Sequence, residues 1–535
     1  MDFTAIENRF QPDAQQKCAV GERGMVASAY PEATAAGVAL LQAGGNAVDA
    51  ACGVALALGV CEPQASGIGG QSVAILHFNG RSFGVDGSSR APSLAHLSRY
   101  RDGENLVGHR AVAVPSTVAT LGYLNEHYGR LPWAQIVQPA IDLAQNGYRL
   151  RPLQRSLLAA SQAELLAMPD GSAAHYFLQN GRDVYDADDL FRQPELAQTL
   201  QTLADHGPRA FYQGRIAQQM DDDMRANDGF LRADDLALIP WPVERKVVWR
   251  RYKETAVCAL PPPTTGRSLL LALTLLDQLP ANALTETPAS YHMLATLLLN
   301  VLLSTLANPI APHHYQEKRD PILTAAFAQE QLARLRQNMA FANSPEGNGE
   351  TTHLSVMDGE GNAVGITQSV DAVYGAKVAA RGLGFVYNNY MMALNTVDPA
   401  HPFYLRPNAT PYTNKTPAML FRDGKLWLLL GSPGSDRIFA ALSQLLTNVF
   451  AKGMSLGQAI DWPRLHAARD GMVHLEGRFD PAVEAYLAQH GFQTMRHADH
   501  DFYFGGIYAI MCCHDRNEFH GVADTRRDGT AVGLF

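Results

Sequence analysis

An α+β fold is predicted by three observations: strand-like alternation near residues 73–85, a mostly helical pattern from Pro115 to about residue 279, and a change to strand signals after Thr351. Residues 32–43 make an alanine-rich helix closed by Gly44-Gly45, and Asn46 can cap a second helix over 47–58. Apolar and polar residues alternate over 73–78 and 83–85 as in paired strands. Pro132, Pro139, Pro152 and Pro194 stand near expected helix starts, where a missing N–H costs nothing. Pro261-Pro262-Pro263 makes a rigid loop before two apolar stretches, 268–279 and 293–306. Interrupted by Asp277 and Asn300 and too short to cross a bilayer, these read as buried helices, and no membrane partner is expected. Residues 342–349 favour turns, 352–357 read as a half-buried strand, and 358–362 turn the chain back into a strand over 363–370. Strands at 418–421, 426–430 and 506–513 then accompany helices at 438–450 and 481–490.

At 535 residues and 47% hydrophobic, the chain can bury a large core. A formal net charge of −9 argues against nucleic-acid binding, yet leaves room for a local basic pocket. Cys18, Cys52, Cys61, Cys258, Cys512 and Cys513 show neither metal nor disulfide spacing, which fits a reducing compartment. The first nine residues lack the basic start and apolar stretch of a signal peptide, so a cytoplasmic location is expected.

Chemistry enters at Gly349-Glu350-Thr351-Thr352-His353-Leu354-Ser355, where a turn-rich stretch runs into a strand that opens on a hydroxyl residue. A cut between Glu350 and Thr351 would give one residue both a nucleophilic oxygen and a free amine to activate it. An α-amine titrates near ~7.7–8.0, so it can accept the hydroxyl proton around neutral pH without a histidine, metal or cofactor. Taken locally, the same pattern also describes a plain hairpin after a surface loop.

Four segments occur in an order that resembles the γ-glutamyltransferase family of N-terminal-nucleophile (Ntn) hydrolases. Gly24-Met25-Val26-Ala27-Ser28 leads to Gly44-Gly45-Asn46-Ala47-Val48-Asp49, then to Glu62-Pro63 and Gly67-Ile68-Gly69-Gly70. Thr351 to Asp358 matches the processing-site strand, Gly431-Ser432-Pro433-Gly434-Ser435 the oxyanion turn, and Ala459 to His466 a late helix. The resemblance implies an αββα four-layer sandwich built from two fragments, a large chain of residues 1–350 and a small chain of 351–535. It also implies that the fragments stay together after self-cleavage, with pairing into a dimer of heterodimers left open.

Residue by residue, the resemblance implies Thr351 as nucleophile and Ser369 as the hydroxyl that orients it. It makes the N–H groups of Gly434 and Ser435 the oxyanion donors, Ser435 replacing a second glycine. The substrate positions depart from the family. Ala393 replaces the aspartate that meets a substrate ammonium group, and Asp371 stands for an asparagine beside Asn389. Arg90 lies two residues beyond the usual arginine position, and Thr413-Asn414 replace a serine pair, with Lys415 next. A pocket without the ammonium partner that keeps cations points to an anionic amide lacking an α-amino group, and among cytoplasmic relatives the oxamate amidohydrolases of purine breakdown fit this description. The alternatives are a γ-glutamyl hydrolase or transferase, an acylase for a dicarboxylic side chain, and an unprocessed metabolite-binding protein. Arg90 and Lys415 each have an alternative as surface ion-pair residues.

Three other motifs carry weaker readings. His497-Ala498-Asp499-His500-Asp501 has metal-ligand types without a convincing partner set, so no metal is expected. Gly67-Ile68-Gly69-Gly70 is too short for a dinucleotide loop and reads as close backbone packing. His353 reads as structural, since the α-amine supplies the base.

Overall fold

The computed structural model describes residues 3–13, 15, 17–239, 241–335 and 349–535 of one uncut chain. The turn-forming stretch 342–348 lies outside the described residues. Two antiparallel seven-stranded sheets lie at the centre. In one, the strand Gly349–Asp358 sits between Gly24–Ser28 and Ala363–Ala372, and the sheet continues through Gln71–Phe78 and Arg81–Gly87. In the other, Lys425–Gly431 lies between Ala418–Arg422 and Tyr508–Cys513. The sheets touch through their central strands, as when Gly349–Asp358 meets both Tyr508–Cys513 and Lys425–Gly431. Helices Pro31–Gln42 and Ala47–Cys61 cover the first sheet, while Gly266–Asp277 and Arg437–Lys452 cover the second. The order of layers is therefore αββα.

Local chemistry accounts for the helices that frame the site. Asn46 closes a capping box at the start of Ala47–Cys61: its side chain accepts from Val48 and Asp49, and Asp49 answers at the Asn46 N–H. Pro152 and Pro194 open their helices, but Pro139 lies inside Trp133–Asn146, whose N-cap is Pro132. Strands also occupy Val243–Arg245, Val248–Tyr252 and Thr255–Ala259, a region with a mostly helical sequence pattern. The second apolar stretch is longer than its sequence pattern indicates, a 20-residue helix Pro288–Ala307 that reaches membrane-spanning length. Two thirds of its most apolar window is buried against the core, so it is read as a core helix.

Candidate active site

The strand carrying Thr351 begins at Gly349, two residues before the hydroxyl residue, so the Glu350–Thr351 bond lies within the sheet. Register explains how the bond is presented. Glu350 pairs with Asp371 and Thr352 with Gln368, leaving Ser369 and Val370 opposite Thr351 alone, a bulge on the neighbouring strand. The bulge turns Ser369 toward the Glu350–Thr351 bond. Its hydroxyl donates to the Glu350 carbonyl at 2.5 Å and accepts the Asp371 N–H at 2.7 Å. Ser369 thus holds the Glu350 carbonyl, whereas the sequence resemblance directs it to the Thr351 oxygen. Gly70 makes this approach possible, because a Cβ there would lie 2.3 Å from the Ser369 carbonyl oxygen.

Thr351 opens onto a cavity of about 670 Å³, whose wall also includes Gly349, Asp371, Thr413, Asn414, Lys415 and Ser435. Sequence positions spread over 87 residues thus converge on one space. The turn after Lys425–Gly431 supplies Gly434 at φ 123° and Ser435 at φ 54°, and the helix Arg437–Lys452 starts immediately beyond. Among the described residues the Gly434 and Ser435 N–H groups make no hydrogen bond, and they lie at the positive end of that helix. Asn414 Nδ2 donates to the Ser435 hydroxyl at 3.2 Å and ties this turn to the Thr413–Lys415 part of the cavity wall.

Lys415 is only 1% exposed, and its ammonium donates to the Tyr390 hydroxyl at 2.6 Å and to Thr413 Oγ1 at 2.9 Å. Burial lowers its pKa, against an upward pull from Asp371. Burial likewise raises the Asp371 carboxyl, against the pull of Lys415. Asp371 Oδ2 is buried with no hydrogen-bond partner among the described residues. The buried Lys415 ammonium and the part-buried Asp371 carboxyl thus face one cavity, each with capacity for a ligand.

Of the predicted site residues, Glu350, Ser369, Gly434 and two substrate-binding candidates, Arg90 and Asn389, lie outside the cavity wall. Arg90 turns its guanidinium to the Ser89 carbonyl while its backbone bridges Val114, and Asn389 spends its amide on the Leu106 carbonyl and the Ala372 N–H. Tyr390 and Arg469 are among the wall residues that were not singled out as site residues from sequence. Tyr390 directly follows Asn389, but nothing local marked its contact with Lys415. Arg469, paired with Asp436 at 2.6 Å, follows the late helix, where the local pattern gives no signal. His353 is fully buried between Thr367 and Ser355, and burial pushes its pKa down to about 3, which suits a neutral packing residue. His497 and His500 pair with His474 and Asp461.

Comparison with known proteins agrees with this architecture. The γ-glutamyltranspeptidase family profile matches residues 33–534. An acylase ACY 1 proenzyme of Pseudomonas sp. (strain V22) is 31% identical over 97% of this chain and 95% of its own. A glutathione hydrolase proenzyme of Escherichia coli (strain K12) is 29% identical over 94% and 90% respectively. A cephalosporin acylase from Bacillus halodurans superposes with a TM-score of 0.87 at 25% identity, covering 97% of each chain. The chain belongs to the γ-glutamyltranspeptidase family of Ntn hydrolases, self-processing enzymes that act on amide bonds.

Proposed function

We propose that this chain cuts itself before Thr351 and then acts as an acylase on amides whose acyl group ends in a second carboxylate and carries no α-ammonium group, such as a glutaryl amide. The observation that carries the reading is the wall beside Thr351, where Lys415 supplies a buried cation and Ala393 stands in place of an ammonium-binding aspartate. A glutaryl group is a γ-glutamyl group without its amine, so it suits a wall that lacks the ammonium-binding aspartate. Oxamate satisfies the same charge argument, but a cavity of about 670 Å³ with Leu306, Pro309, Phe403 and Tyr412 on its wall has room and apolar surface for a far larger amide. The acylase named among the relatives adds support.

In turnover, the Thr351 amine takes the proton of Oγ1 as the oxygen attacks the amide carbonyl. The Gly434 and Ser435 N–H groups receive the negative charge, a contribution of about 3 kcal/mol per well-placed donor. The protonated amine then gives its proton to the leaving nitrogen, and water clears the ester. A second reading, γ-glutamyl hydrolysis or transfer, draws on Asp371 Oδ2, unpartnered among the described residues and able to meet an ammonium group, and on the glutathione hydrolase among the relatives.

Glutaryl and γ-glutamyl p-nitroanilides separate the two. The acylase reading predicts kcat/KM for the glutaryl compound at least about tenfold higher. The opposite ratio would favour the γ-glutamyl reading, and ammonia release from oxamate alone would overturn both.

A further inference from the structure

The scissile peptide is held from both sides by buried charge that turnover does not use. Glu350, 1% exposed, places Oε1 2.6 Å from Arg527 Nη1, and that guanidinium lies 4.0 Å above the Phe502 ring. On the other side of the bond, Thr352 Oγ1 donates to Glu62 Oε2 at 2.7 Å. Glu62 also faces Arg527. Burial pushes its carboxyl up to about 7, with Arg527 pulling the other way. Buried ion pairs contribute little net stability, because desolvation offsets attraction, so stability alone is a poor reason for two acids and one guanidinium beside residue 351.

We propose that Arg527 is a positioning residue for maturation: by gripping the Glu350 side chain it fixes the carbonyl that the Thr351 hydroxyl must reach. The inference rests on the cut proposed before Thr351. Residue 350 is then fastened at two points, its carboxylate by Arg527 and its carbonyl by Ser369, and rotation of the peptide away from Thr351 Oγ1 breaks one or the other. In the cut, Oγ1 bonds to the Glu350 carbonyl carbon, the bond to the Thr351 nitrogen breaks, and the hydroxyl proton passes to that nitrogen. Water next opens the ester, returning a proton to Oγ1 and leaving an α-carboxylate on Glu350. That carboxylate joins the Glu350 side chain and Glu62 as a third acid beside one guanidinium. Mutual repulsion then favours release of the new terminus from the cavity.

The test follows loss of the full-length band on denaturing gels for the parent protein, Arg527→Met, Glu350→Gln and the double variant, with melting curves to show folding. Each single variant is expected to slow the cut by about tenfold to a hundredfold. The double variant should be no slower than the slower single, and Arg527→Lys should recover part of the rate. A folded single variant that matures at the parental rate overturns the proposal. So does a double variant slowed by the product of the two single effects, since the two residues would then act through separate contacts. If Arg527→Met does not fold, Glu350→Gln decides alone, because it removes the charge at constant size. A parent chain that is never cut would refute the cleavage itself, a result distinct from all of these.

Discussion

Lys415 and Ala393 are the residues that most separate this cavity from one built for an amino acid. If Lys415 holds the substrate's distal carboxylate, Lys415→Met should raise KM for glutaryl p-nitroanilide by roughly tenfold to a hundredfold, with a smaller change in kcat. Equal losses in kcat and kcat/KM would place the lysine at the reacting carbonyl instead. Its pKa is lowered first by burial, so the binding charge is present at low pH and lost as pH rises, before the ordinary lysine range is reached. KM should accordingly climb on the alkaline side, and a KM unchanged up to pH ~10.4, the unperturbed lysine value, would contradict the assignment. Thr351, Asp371 and Ser435 were legible because a strand or turn fixes their direction, and Thr413, Asn414 and Lys415 because they lie shortly before the strand Ala418–Arg422 at positions the resemblance marks. Arg90 was not: a long side chain next to a motif goes where tertiary partners send it, here to the Ser89 carbonyl.

Among the elements, the hairpin of Gly349–Asp358 and Ala363–Ala372 was readable from alternation and the intervening turn. Its bulge was not, because an extra residue opposite Thr351 leaves no trace in an apolar pattern. The strands over 243–259 were missed for a related reason. Val248–Tyr252 buries only its two ends and exposes Trp249, so its arginine-rich alternation is blurred. The close packing read into Gly67-Ile68-Gly69-Gly70 has a consequence at the bulge. Gly70→Ala forces its new Cβ against the Ser369 carbonyl, so the strand must shift and maturation should slow by about tenfold or more. A variant that is cut at the parental rate would show that the Ser369 backbone has freedom to give way.

The whole molecule is interleaved across the proposed cut. The Thr351 sheet takes Gly24–Ser28, Gln71–Phe78 and Arg81–Gly87 from the first part of the chain and Thr530–Leu534 from the second. Separating the fragments would break both sheets, so they should elute together in gel filtration after cleavage and part only in denaturant. Stability should also record the buried acid beside the cut. The Glu62 carboxyl is raised from 4.5 to about 7, chiefly by burial, so its ionisation disfavours the fold. This cost is absent below pH ~4.5, grows as pH rises through about 7, and then levels off at ~3 kcal/mol. Glu62→Gln, which keeps an acceptor for Thr352, should therefore raise Tm more at pH 8 than at pH 5. An equal shift at both values would mean that Glu62 is ionised in the fold throughout.

The covalent state of residue 351 decides whether its amine and hydroxyl can act together. Intact mass spectrometry of purified, active protein should find a fragment running from Thr351 to Phe535 with an unmodified amino terminus, held with its larger partner until denatured. A single mass for the full chain in a preparation that hydrolyses amides would contradict the mechanism at its root.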